Sequence, residues 1–453
     1  MNTPDRQQDA RKLRRENRVL AGLAFLVWAV AATLVALNVH LHPAVTTPCF
    51  TSVSTPAHCQ SSTLNPTSNV SVTVAVAASV KNQNPVQAQV PGENTGANSG
   101  QPSNTGTSAG AIPTSTVTSS PARQAASLPP LLVAAGGDVL GDRGVGAYLD
   151  RHGGQPVFEH VRPLLETAHL AFVNLEGPVS DKGARATWKE YTFRARPALL
   201  DGLVSAGVDM VSLANNHVLD YGPAALIDAF ARLERAGICY AGAGKDIRQA
   251  RAPAILATPA GTVAFFAFTN IIPGGFAATK SSPGVNPVLP EAGQMQAVIK
   301  TWSKRVDFVV VSFHWGTEYQ FSPDPLQQQL AHQAVEAGAD LILGHHPHVI
   351  QGLEIYQGSL IAYSLGDFLW DHYSRETGET FILRAYLAPG GMPTAEIVPV
   401  YLEEESGVPQ PVSGEAAQRI LDRLKKLCGD LGVELVVSGS QGWIGFNPLA
   451  AGE

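Results

Sequence analysis

The sequence predicts an α/β domain built on a largely parallel or mixed sheet flanked by helices, carried behind a transmembrane helix and a disordered stalk. Three observations predict it. Short β-rich runs alternate with amphipathic helical patterns from residue 129 onward, an uncharged apolar run lies near the N-terminus, and Ser, Thr, Asn, Gln, Pro and Gly crowd the stretch between them. Strands alternating with helices are the signature of parallel strands joined by crossover connections. At 453 residues and 45% hydrophobic content the chain can bury a sizeable core.

Residues 1–18 form a basic tail containing Arg6, Arg11, Lys12, Arg14, Arg15 and Arg18, and no further Lys or Arg appears until Lys81. Between them, Val19 to Leu37 is apolar and uncharged, about 28 Å long as a helix and so matched to a bilayer core. The charge asymmetry places the N-terminus in the cytoplasm. The run is longer than a signal-peptide core and no small-x-small cleavage site follows, so it reads as an uncleaved anchor. The expected location is the cell membrane, single-pass, with the folded domain extracytoplasmic. Residues 42–128 have the composition of a flexible stalk. Four cysteines without CxxC or CxxH spacing make neither a disulfide scaffold nor a thiolate metal cluster. Cys49 and Cys59 are placed to bridge in an oxidising compartment, whereas Cys239 and Cys428 read as small buried apolar residues. A net charge of -7 with no later basic run excludes a dedicated nucleic-acid surface.

Within residues 129–405 the expected strands are Leu131 to Ala135, Leu170 to Val173, Met210 to Leu213, Ile238 to Ala241, Val263 to Phe268, Phe308 to Phe313 and Leu341 to Leu343. Leu360 to Tyr363, Phe381 to Tyr386 and Ile397 to Leu402 follow without intervening helices, which implies a mixed or two-sheet arrangement. The clearest helix starts at Pro223, carries Leu226, Ile227, Phe230 and Leu233 at helical spacing and stops at Gly237. Others are expected over Pro197 to Ala206, Glu291 to Lys304 and Pro325 to Ala337. In residues 406–453, Ala416 to Leu427 reads as an amphipathic helix and Gly439 onward as an irregular tail.

Polar clusters follow directly on five of the strands, where ligands bind in open α/β sheets. They supply Asp138; Asn174 and Glu176; Asn215, Asn216 and His217; His314 and Glu318; and His345, His346 and His348. Carboxylate, amide and imidazole groups without thiolates suit one or two divalent ions such as Mn, Zn or Fe. A bound ion of this kind lowers the pKa of water and neutralises charge developing on a phosphoryl or carbonyl oxygen. Singly, Asp138 and the two asparagines could serve only turns and loop backbone. Several imidazoles packed together past one strand are costly unless solvent or a cation relieves them. His152, His160, His169 and His332 lie in helical or loop sequence and read as surface or packing residues.

GDVLGDRG, NLEGP, SLANNHVLDYG, FHWGTEY, GHHPHVIQG and SLGDF, in this order, resemble the successive motifs of the capsule biosynthesis protein CapA family of poly-γ-glutamate synthesis. That family's fold belongs to the calcineurin-like metallophosphatase superfamily, so the resemblance implies a metallophosphatase-like layered domain. It implies that Asp138, Glu176, Asn216, His314, His346 and His348 hold metal, and that His217 stabilises or protonates the leaving group. Asp220 and Glu318 would then orient imidazoles, and Arg143 would meet an anionic substrate group. The chain departs from the pattern at His345, where a small residue is usual, at Asp367, where Asn is usual, and at Glu176, often Asp; Asp367 could be a further ligand or tune substrate choice. Two readings of function follow. One is a metal-dependent hydrolase acting on a phosphoester or an amide of an anionic surface polymer; the other is a non-catalytic polymer-binding or export subunit working with other membrane subunits of a polymer synthase.

Overall fold

The computed structural model describes residues 60–61, 129–289 and 292–445. The expected basic tail and anchor, the stalk apart from Gln60 and Ser61, the Cys49–Cys59 bridge and the end of the C-terminal tail lie outside them. Among the described residues no helix is long and apolar enough to cross a membrane.

Strand β1 (Leu131–Val139) leads into helix α1 (Arg143–His152), followed by β2 (Leu170–Leu175), α2 (Leu199–Ser205), β3 (Met210–Ser212), α3 (Gly222–Ala236) and β4 (Cys239–Ala241). Strands β1 to β4 pair in parallel, neighbour to neighbour. A second parallel run consists of β6 (Gly261–Thr269), β7 (Phe308–His314), β8 (Leu341–His345) and β10 (Ser359–Ala362), with β5 (Ala254–Thr258) and β9 (Leu353–Tyr356) antiparallel at its edges. Helices α4 (Ala292–Trp302) and α5 (Pro325–Glu336) make the crossovers. The chain then returns to the first sheet with β11 (Asp367–Leu369), β12 (Glu379–Leu387) and β13 (Thr394–Leu402). The two-residue strand Gln60–Ser61 pairs with β5.

The period of two along each strand sorts side chains into layers. Leu131, Val133 and Ala135 of β1 share one apolar cluster with Val263, Phe265 and Ala267 of β6 and with Val310 and Leu341, so the sheets bury these faces against each other. The alternate residues, Ala264, Phe266, Val309 and Val311, pack beneath Ile299, Leu330 and Ala334 of α4 and α5. On the first sheet, Ala171 and Val173 lie under Leu203, Leu226 and Phe230 of α2 and α3. The result is helix, sheet, sheet, helix. Strands buried on both faces read as continuous apolar runs, which is why they stand out in the sequence.

The helix ends follow their local chemistry. Gly237 closes α3 with φ 73°, the left-handed cap a glycine adopts freely. Asp324 opens α5 with a capping box, its carboxylate accepting from the Gln327 amide at 2.8 Å while Gln327 Oε1 accepts from the Asp324 amide at 2.9 Å.

Three expectations change. Helix α1 has no counterpart in the reading above, which assigns no element to the glycine-rich stretch around Arg143. The segment from Gly439 is not wholly irregular: β15 (Val436–Ser438) and β16 (Gln441–Ile444) extend the first sheet beside β13, after the short β14 (Pro409–Pro411) and helix α6 (Gly414–Gly429). Buried Ile420, Leu421, Leu424 and Cys428 of α6 join the inter-sheet core. Cys239 is buried as expected but is disulfide-bonded, whereas Cys428 is a free buried thiol. A strand cysteine in an apolar run looks the same in sequence whether or not it is oxidised.

Strand β1 changes partners midway. Its first half, through Ala135, pairs antiparallel with β12, and its last two residues pair with β11. The switch falls at Gly136 and Gly137, where a Cβ on Gly137 would stand 1.9 Å from the Gly366 carbonyl oxygen. That contact cannot relax, because the same carbonyl accepts the Asp138 amide at 3.0 Å. Gly137→Ala is therefore expected to destabilise the domain by about 1–3 kcal/mol and lower the calorimetric Tm by roughly 2–10 °C. Gly274→Ala, where nothing lies within 4 Å, should leave the Tm unchanged.

Candidate metal centre

Register assembles the site at the C-terminal ends of the parallel strands. Asp138 at the end of β1 stands between Asn174 of β2 and Asp367 of β11. In the second sheet His314 of β7 pairs with His345 of β8. Asp138, Glu176, His314, His345 and Asp367 are all buried, and His217, His346 and His348 nearly so.

Asp138 is the centre of a web. Its Oδ1 accepts from Asn174 Nδ2 at 2.8 Å, and its Oδ2 accepts from the His346 amide at 3.0 Å. His345 Nδ1 lies 3.1 Å from Oδ1 but out of line for a hydrogen bond. His348 Nδ1 stands 2.8 Å from Asp367 Oδ1 and 3.7 Å from Asp138 Oδ2. On the other side, His314 Nε2 meets Asn216 Oδ1 at 2.9 Å. Glu176 Oε1 is 3.7 Å from His217 Nε2 and 3.9 Å from His314 Nε2, and neither of its oxygens has a hydrogen-bond partner.

His217 is held by Asp220, whose Oδ2 lies 2.6 Å from Nδ1 and also accepts the Phe193 amide at 2.7 Å. With Nδ1 engaged by Asp220, Nε2 is left facing Glu176. Phe193 packs on the His217 ring at 4.2 Å between centroids, and Trp370 on His348 at 4.7 Å. Of the expected residues, Asp138, Glu176, Asn216, His217, Asp220, His314, His346, His348 and Asp367 come together. Glu318 is exposed at the rim, within ligand reach of His346 and His348. Arg143 is not an open cation: it pairs with Asp371 at 3.1 Å and lies over the Phe193 and Tyr373 rings.

The sequence reading missed Lys189. Its ammonium reaches Asp220 Oδ1 at 2.6 Å, the Asn216 carbonyl at 2.6 Å and His217 Nδ1 at 3.0 Å. It comes from an irregular stretch after β2 in which no periodicity marks it. Asn174 and His345, both seen among the motif residues, serve here as direct partners of Asp138.

The electrostatics are those of a site short of positive charge. Burial, with Asp138 adding repulsion, raises Glu176 well above the usual carboxylate range. Burial likewise lifts Asp367 to about 6 despite its contact with His348. Burial opposes the charge on His348, yet Asp367, Glu176 and Asp138 together hold it up at about 10. Burial lowers His217 to about 4 and His346 to about 3, and His314 falls well below its ordinary value. Tyr319 is raised by burial and then by Glu318, Asp367 and Tyr191, with Arg143 acting in the opposite direction.

Backbone strain gathers here. Five non-glycine residues among those described have positive φ, and four of them, Arg143, Tyr319, His346 and His348, border the site. Such conformations cost free energy and persist where surrounding structure enforces them.

A divalent cation fits these residues. The orphaned Glu176 oxygens and His346 Nδ1 are buried acceptors without donors, the condition a cation would relieve. Three sets bring candidate ligand atoms within 4.8 Å of one another: Asp138, Glu176 and His314; Asp138, His348 and Asp367; and Glu318, His346 and His348. Asp138 belongs to two of them, which is the arrangement needed for adjoining cations sharing a carboxylate.

Residues 132–372 match the sequence profile described as bacterial capsule synthesis protein PGA_cap. The capsule biosynthesis protein CapA of Bacillus anthracis is 33% identical over 282 residues, covering 61% of this chain and 68% of that one. The PGA biosynthesis protein CapA of Bacillus subtilis (strain 168) is 31% identical over 292 residues, covering 64% and 76%. A solved structure described as a novel phosphatase, from Mycoplasma pneumoniae, aligns with 62% of this chain and 91% of that one at 15% identity and TM-score 0.34, too slight a likeness to argue from. Because the profile spans more than half of the chain, with all six motifs inside it, the chain belongs to the bacterial capsule synthesis protein PGA_cap family.

Proposed function

We propose that the domain is a metal-dependent hydrolase acting on a phosphoester or amide of a cell-surface polymer, anchored to the membrane through its N-terminal run and facing the extracytoplasmic side. The observation that carries this reading is the buried Glu176 carboxylate, unpartnered and set among imidazoles. The Cys239 disulfide supports an oxidising compartment.

Asp138, Glu176, Asn216, His314, His346 and His348 would hold one or two divalent cations, with Asp367 and Glu318 in reach. Such cations supply Lewis acidity and a lowered pKa for water. The chain's own residues do the rest. Asp220 fixes the His217 ring, so that Nε2 is the atom presented to the centre to take up or release a proton at the departing group. Lys189 offsets the Asp220 charge and keeps it from drawing the proton off Nδ1. Phe193 and Trp370 exclude water from the two outer imidazoles.

A second reading, a polymer-binding subunit of a synthesis complex, is favoured by the relatives, whose names describe biosynthesis rather than hydrolysis. In that case deletion abolishes surface polymer while Asp138→Ala and His346→Ala leave it intact.

Two outcomes are expected. Burial holds Glu176 above the usual carboxylate range and, against burial, carboxylate neighbours hold His348 at about 10 in the empty centre, so binding of Mn²⁺ or Zn²⁺ should release protons. Affinity should therefore strengthen as pH rises, as read by calorimetry in buffers of different ionisation enthalpy, and Asp138→Asn and His346→Ala should lose the ions by elemental analysis. Proton uptake on binding, or full retention of ions in both variants, would place the cation elsewhere. In the loaded full chain, His217→Ala should lower kcat on a generic phosphodiester or on polyglutamate by roughly 10²–10⁴-fold with ion content unchanged. Undiminished activity in that variant rules out the assigned role.

A further inference from the structure

A carboxylate of the chain itself already occupies Arg143. Asp371 Oδ2 accepts from Arg143 Nε at 3.1 Å, lies 3.1 Å from a terminal guanidinium nitrogen and takes a longer bond from the Gly144 amide at 3.4 Å. The seat has room for it only because residue 144 has no side chain: a Cβ there would stand 3.2 Å from Asp371 Cβ and 3.3 Å from its Oδ2. A planar guanidinium facing a carboxylate is the geometry by which arginine recognises such groups.

Two aromatic rings connect this pair to the imidazoles of the centre. The Arg143 guanidinium lies 5.7 Å from the Phe193 ring, which packs on His217 at 4.2 Å. Trp370, the residue before Asp371, packs on His348 at 4.7 Å and meets Phe193 edge-on at 5.7 Å. Arg143 is also near enough to Tyr319 to oppose the rise in its pKa. An anionic group held by Arg143 therefore stands one ring away from His217. The pair is reachable from solvent, with the Arg143 and Asp371 side chains 26% and 25% exposed. Lys189 offers no such opening, because its ammonium is held by Asp220 and the Asn216 carbonyl and its side chain is only 13% exposed.

Asp371 fills its seat imperfectly. Its hydrogen bonds all fall on Oδ2, while Oδ1 is buried without a partner, and a buried acceptor left unpaired weakens the hold of the group that carries it. Arg143 has φ 54°, a backbone conformation costly for any residue but glycine. A strained, under-satisfied pair open to water is one that a better-placed carboxylate can exchange into. We propose that Asp371 is an internal stand-in for a carboxylate of an anionic polymer, which displaces it from Arg143 as the polymer docks, while Asp371 turns out to solvent. Arg143 then selects the chain, and Asp371 sets the concentration at which it is admitted. The proposal rests on reading the centre as acting on a surface polymer, and names the contact that holds that polymer and the residue that competes for it.

The test measures binding of poly-γ-glutamate to the full chain by calorimetry, in the wild type, Asp371→Asn, Arg143→Gln, the variant carrying both changes, and Gly144→Ala. Removing the competitor in Asp371→Asn should tighten binding roughly tenfold, and that gain should vanish when Arg143→Gln is also present. A gain that persists without Arg143 reports net charge alone and overturns the proposal, as does an absent gain or no binding in any form. Gly144→Ala alters no charge but presses on Asp371, so it should also tighten binding; if Asp371→Asn fails to fold, this variant decides, and unchanged or weaker binding in it overturns the proposal. Glutarate should displace the polymer at lower concentration than inorganic phosphate, and the reverse order overturns the assignment to a carboxylate. Coupled binding without metal-dependent cleavage leaves the exchange standing and removes the hydrolase reading; cleavage without the coupling does the reverse.

Discussion

Three carboxylates, Asp138, Glu176 and Asp367, are buried in one small volume at the junction of two sheets, and the surrounding structure is organised to tolerate them. Water cannot solvate them, and the nearby imidazoles only partly compensate. Glu176 responds with a pKa raised above the usual carboxylate range, His348 by keeping its proton to far higher pH than a free imidazole, and Asp138 by collecting hydrogen bonds from Asn174 and the His346 backbone. The positive φ of His346 and His348 belongs to the same constraint, because the turn after β8 must bring both a backbone amide and two rings toward Asp138. A folded chain that accepts this much unrelieved charge is prepared for a cation.

Much of the fold was legible because both sheets are covered on both faces. Burial on two sides writes each central strand as an uninterrupted apolar run, and the crossover helices carry strong stops such as Gly237 and Asp324. The edges were less legible: β5, β9 and β16 are short and half-exposed, so their pattern resembles loop sequence. Helix α1 was hidden by its own glycines; Gly144 and Gly146 weaken helix propensity, yet a Cβ on either would crowd Asp371 or Arg196.

The site was legible to the extent that its residues follow strands. Asp138, Glu176, Asn216, His217, His314, His346 and His348 lie within a few residues of strand ends, and fold rules alone bring those ends together. Lys189 lies far from any strand end and reaches the centre only because its irregular segment folds back onto the loop after β3. Arg143 shows a different limit: whether a guanidinium is open or already paired depends on Asp371, more than two hundred residues away in sequence. Pairing across such distances leaves no local signal.

The divided partnership of β1 has a consequence for when the centre comes into being. Asp138 is among the first residues of the domain, but the strands flanking it on one side, β11 and β12, arrive more than two hundred residues later. An emerging chain that stops short of Asp367 leaves β1 with an open edge and His348 without its carboxylate. Long-range closure of this kind is slow and comes late. A cation held at this centre would thus be captured only on completion of the whole domain, from whichever compartment the last third of the chain folds in.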